Sequence, residues 1–142
     1  MLVETPEKIE VGLVFKHKFS YTQEQVDQFA EATGDTNPLH IDEEAGKNSM
    51  FGRRIIHGYL GGAVFTKIFG TLLFADGNIY MKQEMKFLKP MFTGKEYEAV
   101  ITVKEVIAEK NRAIYDCQVV DCETGDVTTM GEAMLMNKKY YV

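Results

Sequence analysis

The segment His57–Phe74, "HGYLGGAVFTKIFGTLLF", is apolar almost all the way round, with Lys67 as its single charged side chain. Its length exceeds that of an ordinary strand, so one buried helix is expected rather than a pair of buried strands. Gly58, Gly61, Gly62 and Gly70 each cost roughly 1 kcal/mol against alanine in a free helix. A helix carrying all four is expected where other backbone packs closely against it.

After Asn78 the hydrophobic period changes to two. Ile79, Met81, Met85 and Phe87 fall on one face, opposite Lys82, Glu84 and Lys86. Tyr97, Ala99, Ile101 and Val103 repeat the pattern, as do Ala113, Tyr115, Cys117 and Val119. In the last such run Met130, Met134 and Met136 oppose Val127, Ala133 and Leu135, so both faces are apolar. The connections "KPMFTGKE", "AEKNR" and "CETGD" have turn composition. Upstream, "LVFKHKFSY" (Leu13–Tyr21) reads as a first strand, with His17 expected at the surface. Thr22 and Gln25 make a capping box, Val26, Phe29, Ala30 and Thr33 form one apolar stripe, and Gly34 ends that helix. Asp42 is expected to cap a short helix through "EEAGKN". The fold class is therefore α+β: a strand, helices, then four consecutive antiparallel strands, curved over the long helix as a single domain spanning residues 1–142. The two-sided last strand points to sheet surface covered by a second subunit.

The 142 residues are 45% hydrophobic and 26% charged, with a formal charge of −5. That charge argues against a nucleic-acid backbone or an anionic membrane as the main partner. No run approaches the roughly 18 apolar residues of a membrane span, and residues 1–20 lack a signal-peptide core. Cys117 and Cys122 are too few for a disulfide framework and lack metal-ligand spacing, so a reducing, cytoplasmic setting is expected.

The chemistry-bearing stretch is "TGDTNPLHID" (Thr33–Asp42). Asp35 and His40 lie five residues apart across the stiff Asn37–Pro38 bend, a spacing that lets a carboxylate and an imidazole meet and move protons. Gly58, at the start of the buried helix, offers a backbone N–H suited to a developing oxyanion. Base, acid and oxyanion donor form a minimal set for reaction at a carbon conjugated to a carbonyl. On spacing alone a second reading stays open, with Asp35 and Asn37 as turn residues bonding nearby amides and His40 as a satisfied half-buried residue. A metal site from His40, Asp42 and His57 lacks two ligands at i, i+4 on one helix and is disfavoured. Thr66, two turns beyond Gly58, either supports the site or bonds a carbonyl four residues back.

Three stretches, "FAEATGDTNPLHIDEEAG", "FGRRIIHGYLGG" and "MKFLKPMFTGKE", together resemble the MaoC-like (R)-specific enoyl-CoA hydratases, a hotdog-fold group. The D-x-N-P-x-H loop, the H-G opening the helix and the F-L-K-P at a strand end occur in the same order. The resemblance implies a curved antiparallel sheet wrapped around a central helix. It implies Asp35 and His40 as the catalytic pair that activates water for addition to a trans-2-enoyl thioester. Asn37 is implied as the asparagine holding the loop, and Gly58, beside His57, as the oxyanion and substrate-binding position. It also implies a homodimer with no metal or redox cofactor, coenzyme A entering as part of the substrate. The alternatives are a dehydratase acting on carrier-protein thioesters, a hotdog thioesterase, or a non-catalytic acyl-CoA-binding subunit. Lys86, Lys89 and Arg53 are candidates for the coenzyme A phosphates, and Phe65, Ile68, Phe69 and Leu72 for the acyl tunnel.

Overall fold

The computed structural model describes residues 6–142; the first five positions of the expected domain, and of the segment read for a signal peptide, lie outside the described residues. Strand β1 (Val14–Phe19) leads to helix α1 (Gln23–Thr33), whose start is fixed by Thr22. Its hydroxyl oxygen accepts the Gln25 N–H at 3.2 Å while its own N–H donates to the Gln25 side chain at 2.9 Å. Gly34, with φ +82°, ends the helix. Two short helices follow, α2 (Pro38–Ile41) and α3 (Glu43–Lys47), the second capped by Asp42 as expected.

The buried apolar segment is helical from Gly58 to Leu72, but in three pieces: α4 (Gly58–Gly62), α5 (Val64–Lys67) and a π-helical turn over Ile68–Leu72. One unbroken helix was the expectation. The break falls at Ala63, whose N–H bonds Leu60 O three residues back, and the end is wide, with Leu73 N–H bonding Ile68 O five back. Close packing explains Gly58, Gly61 and Gly62, although the neighbours are side chains rather than backbone. A Cβ on Gly58 would lie 2.9 Å from the Phe87 ring, and one on Gly61 would lie 2.7 Å from Met91 Sδ. Gly70 is exposed with open space beside it.

The remaining strands are β2 (Ile79–Gln83), β3 (Lys86–Phe87), β4 (Tyr97–Ile107), β5 (Arg112–Asp121) and β6 (Val127–Met136). They form an antiparallel sheet with β1 in the order β1-β4-β5-β6-β2, and β3 also pairs with β6. Tyr97, Ala99, Ile101 and Val103 of β4 and Ala113, Tyr115, Cys117 and Val119 of β5 are buried, as alternation required. They meet Phe65, Ile68 and Phe69 of the helix and Leu73 just past its end. Each such large apolar side chain contributes about 1.5–3 kcal/mol by leaving water. This is the hotdog arrangement of a curved sheet on a central helix.

Two expectations about faces fail. The stretch 79–90 is not one strand: its register shifts between Tyr80 and Lys82. The extra residue reverses the alternation. Tyr80, Gln83, Met85 and Phe87 turn toward the helix, with Phe87 still 50% and Tyr80 37% exposed, while the exposed Ile79 and Met81 face away from it. His17 shares the inward face of Phe15 instead of facing outward; it is half-buried, with its Nε2 3.0 Å from Lys67 Nζ.

The chain returns to the helix end through Asn137, which is 1% exposed. Its amide nitrogen donates to Phe74 O at 3.1 Å and Asp76 O at 2.9 Å, and its oxygen accepts the Lys139 and Tyr140 N–H groups. Beside it, the hydroxyls of buried Tyr115 and Tyr141 share a hydrogen bond at 2.7 Å. Replacing Asn137 by alanine strands several buried polar groups and is expected to lower unfolding free energy by about 2–3 kcal/mol, read from urea titrations. The His17 imidazole is held below its ordinary pKa by burial and then by the Lys67 charge. The folded state thus favours the neutral ring, and that stability is present above about pH 6.5 and lost as pH falls through the depressed value. The fall in urea midpoint between pH 7.5 and 5.5 is expected to be smaller in His17→Asn than in the wild type.

Candidate active site

The loop after α1 makes the turn and cap contacts that one reading of its sequence expected, and it also brings Asp35 and His40 to the start of α4. Asp35 Oδ1 accepts the Asn37 N–H at 3.4 Å, and Asn37 Oδ1 caps α2 by accepting the Leu39 N–H at 3.0 Å. Pro38 takes the first position of that helical turn, where its missing N–H is no loss. The Asn37 side chain thus holds the bend. The same bend carries Asp35, exposed, and His40, half-buried, toward the start of α4.

His40 Nδ1 lies 2.9 Å from Ile55 O. A carbonyl only accepts, so Nδ1 carries the proton, and the neutral ring presents a lone pair at Nε2. His57 was grouped with Gly58 in the sequence; its side chain has a more specific place. It is 2% exposed, and its Nε2–H donates to the backbone oxygen of Asp35 at 3.0 Å. Its ring stacks on His40 at 3.9 Å between centroids, and Phe29 lies against it at 4.8 Å. Its Nδ1 is buried without a hydrogen-bond partner among the described residues. Because His57 immediately precedes Gly58, one residue ties the Asp35 loop to the helix start.

Asp35, His40 and His57 bring a carboxylate oxygen and two ring nitrogens within 4.8 Å of one another. Asp42 stays out of this group, its Oδ1 accepting the Glu44 and Ala45 N–H groups at the cap of α3. The two imidazoles are stacked with 27° between planes, so their in-plane lone pairs run side by side rather than converging as metal ligands do. One proton-moving pair beside an amide donor fits this geometry better.

Asp35, His40, His57 and Gly58 line one groove of about 620 Å³. Gly58 is the first residue of α4, and its N–H makes no hydrogen bond among the described residues. A second hollow of about 430 Å³ lies on the other side of Gly58, between Phe51, Leu88 and Lys89. The groove continues past Ala63 and Thr66 to Tyr80, Gln83 and Met85. Thr66 is exposed to it. Of the acyl-tunnel candidates, Phe65, Ile68 and Phe69 are instead buried in the core, and Leu72 packs partly buried against it. Phe29, Tyr80 and Gln83 were missed as lining residues. Phe29 was recognised only as part of an apolar stripe, and the other two were obscured by the bulge. Of the basic candidates, Lys89 pairs with Asp126 at 2.9 Å and Arg53 lies 4.1 Å over the Phe92 ring.

Residues 4–124 match the family described as the MaoC like domain. The chain is 35% identical to a 3-hydroxybutyryl-CoA dehydratase of Methylorubrum extorquens, over 91% of this chain and 81% of that protein. It is 28% identical to a mitochondrial 3-hydroxyacyl-[acyl-carrier-protein] dehydratase of Arabidopsis thaliana, over 75% of this chain and 63% of that one. The solved structure of the (R)-hydratase from A. caviae involved in PHA biosynthesis superposes with a TM-score of 0.87 at 29% identity. That match covers 93% of this chain and 99% of the other. With the D-x-N-P-x-H loop folded against the start of a central helix inside a hotdog sheet, the chain belongs to the MaoC-like hydratase and dehydratase family of hydro-lyases.

Proposed function

We propose that the protein is an (R)-specific enoyl-CoA hydratase, adding water reversibly to trans-2-enoyl-CoA to give the (3R)-hydroxyacyl thioester. The observation that carries this reading is the single groove shared by the Asp35 carboxylate, the His40 imidazole and the unpaired Gly58 amide.

The thioester oxygen accepts the Gly58 N–H, assisted by the positive end of α4. Electron density moves toward that oxygen and C3 becomes electrophilic. Asp35 and the Nε2 lone pair of His40 orient a water and remove its proton as its oxygen bonds to C3. The proton taken from the water is delivered to C2, and the double bond is consumed. The addition leaves no net oxidation or reduction, so the mechanism calls on no redox carrier, and coenzyme A enters only as the carrier of the acyl group. The acyl chain lies in the groove along α4 and α5, and the pantetheine arm leaves through the hollow beyond Gly58. Lys89, which lines that hollow, is the basic group assigned to the phosphates, whereas Lys86 lies along a different hollow with Asp116 and Glu132.

A second copy of the chain is the proposed partner. Tyr59, Ile79, Met81, Phe87 and Leu88 expose 43–71% of their surface along the helix start and the β2–β3 edge. Such an apolar sheet edge invites pairing with another chain. A cytoplasmic location goes with this reading, and no described helix is long and apolar enough to cross a membrane. The Arabidopsis relative supports a second reading, a dehydratase acting on carrier-protein thioesters with the same residues. Turnover on matched coenzyme A and carrier-protein thioesters decides between the two.

Loss of the conjugated-thioester absorbance on mixing protein with crotonyl-CoA tests the main reading. Asp35→Asn and His40→Ala are each expected to lower kcat by on the order of 10²–10⁴. Full wild-type turnover in both would remove their assigned roles. His57→Leu releases the Asp35 backbone, and misplacement of this kind is expected to lower kcat about 10–100-fold with KM little changed. His57→Gln keeps an N–H donor and should recover part of that loss in the same assay.

A further inference from the structure

We propose that Tyr80 and Gln83 close the acyl end of the groove and restrict the enzyme to short-chain enoyl thioesters; this rests on the hydratase reading above. The segment β2–β3 runs antiparallel to the central helix and walls the groove. Phe87 lies against Gly58, Met85 against Gly62, and Tyr80 against Phe69. At about 1.5 Å per residue, Phe69 stands roughly 16 Å along the helix from Gly58. Tyr80 therefore sits at the end of the groove remote from the reacting carbons.

Residues three apart on a regular strand face opposite ways. The register shift between Tyr80 and Lys82 brings Tyr80 and Gln83 to the same side, where both line the groove. The Tyr80 hydroxyl donates to Gln83 Oε1, and Gln83 Nε2 donates to Glu84 O at 2.9 Å. Behind this pair the Tyr80 ring meets Phe69, which is 1% exposed, edge-on at 5.6 Å. The end wall is polar, internally hydrogen-bonded and backed by core.

A tail growing from the thioester first passes Ala63, Met85 and Phe29, where burial of each methylene is worth roughly fourfold in affinity. On reaching Tyr80 and Gln83 it meets groups that already satisfy each other. Further methylenes must break that hydrogen bond or displace a ring packed on the core, and neither returns the burial gain. Chain length is therefore limited by two side chains on the bulged strand rather than by the helix.

The test is kcat/KM of the purified protein on crotonyl-, hexenoyl-, octenoyl- and decenoyl-CoA. The wild type is expected to favour crotonyl- and hexenoyl-CoA over decenoyl-CoA. Tyr80→Ala should raise the octenoyl-to-crotonyl ratio at least tenfold, and Gln83→Leu should raise it severalfold. Tyr80→Phe keeps the ring on Phe69 and removes only the hydrogen bond, so it reports even where the alanine variant folds poorly; a smaller rise is expected. Ratios within twofold of wild type in all three variants, or a wild type that works best on decenoyl-CoA, would overturn the inference while leaving a hydratase. A wild type that hydrates none of the four overturns the hydratase reading and this inference with it.

Discussion

The rest of the molecule depends on the approach of the 85–91 segment to a helix face without side chains. The Phe87 ring occupies the space of a Gly58 Cβ, and Met85 and Met91 do the same at Gly62 and Gly61. Glycine weakens an isolated helix, so α4 owes its stability to the side chains and sheet that press on it. That close approach also leaves the first amide of the helix beside a hollow on either hand. A larger residue at these positions would push the wall from the floor of the groove and move the Gly58 N–H. Packing and chemistry are here the same constraint.

His57 transmits that constraint to Asp35 and His40. Its backbone opens α4, while its side chain holds the Asp35 carbonyl and supports the His40 ring. The Gly58 N–H and the loop carrying Asp35 and His40 are therefore set relative to each other by one residue. The Ile55 carbonyl, two residues earlier, selects the His40 tautomer. A short run preceding the helix thus governs both the position and the protonation geometry of groups that lie some twenty residues upstream.

Much of this was legible in the sequence because it is local. The capping box at Thr22, the Asp42 cap and the alternation of β4 and β5 depend on neighbours along the chain. The Asp35–His40 spacing could be read in the same way, since a stiff bend brings the two together whatever surrounds them. What escaped was non-local. The phase reversal at Tyr80–Lys82 comes from pairing with β6 and leaves no mark in the alternation of residue types. The inward turn of His17, by contrast, follows from its shared parity with Phe15 and Phe19 and was overlooked because the residue is polar. His57 looked like part of a substrate-binding dipeptide; its grip on Asp35 required a fold that closes twenty-two residues into contact. The break at Ala63 and the π-helical end were hidden because apolar residues continue through both.

The cysteines have a practical side. Cys117 is 1% exposed and its thiol is pushed up to about 12 by burial, so it resists alkylation in the native state. Cys122 lies exposed just after β5, away from the groove lining. A maleimide fluorophore would therefore mark one site on the native chain with no mutagenesis. Binding and assembly could then be followed by anisotropy with the groove residues untouched.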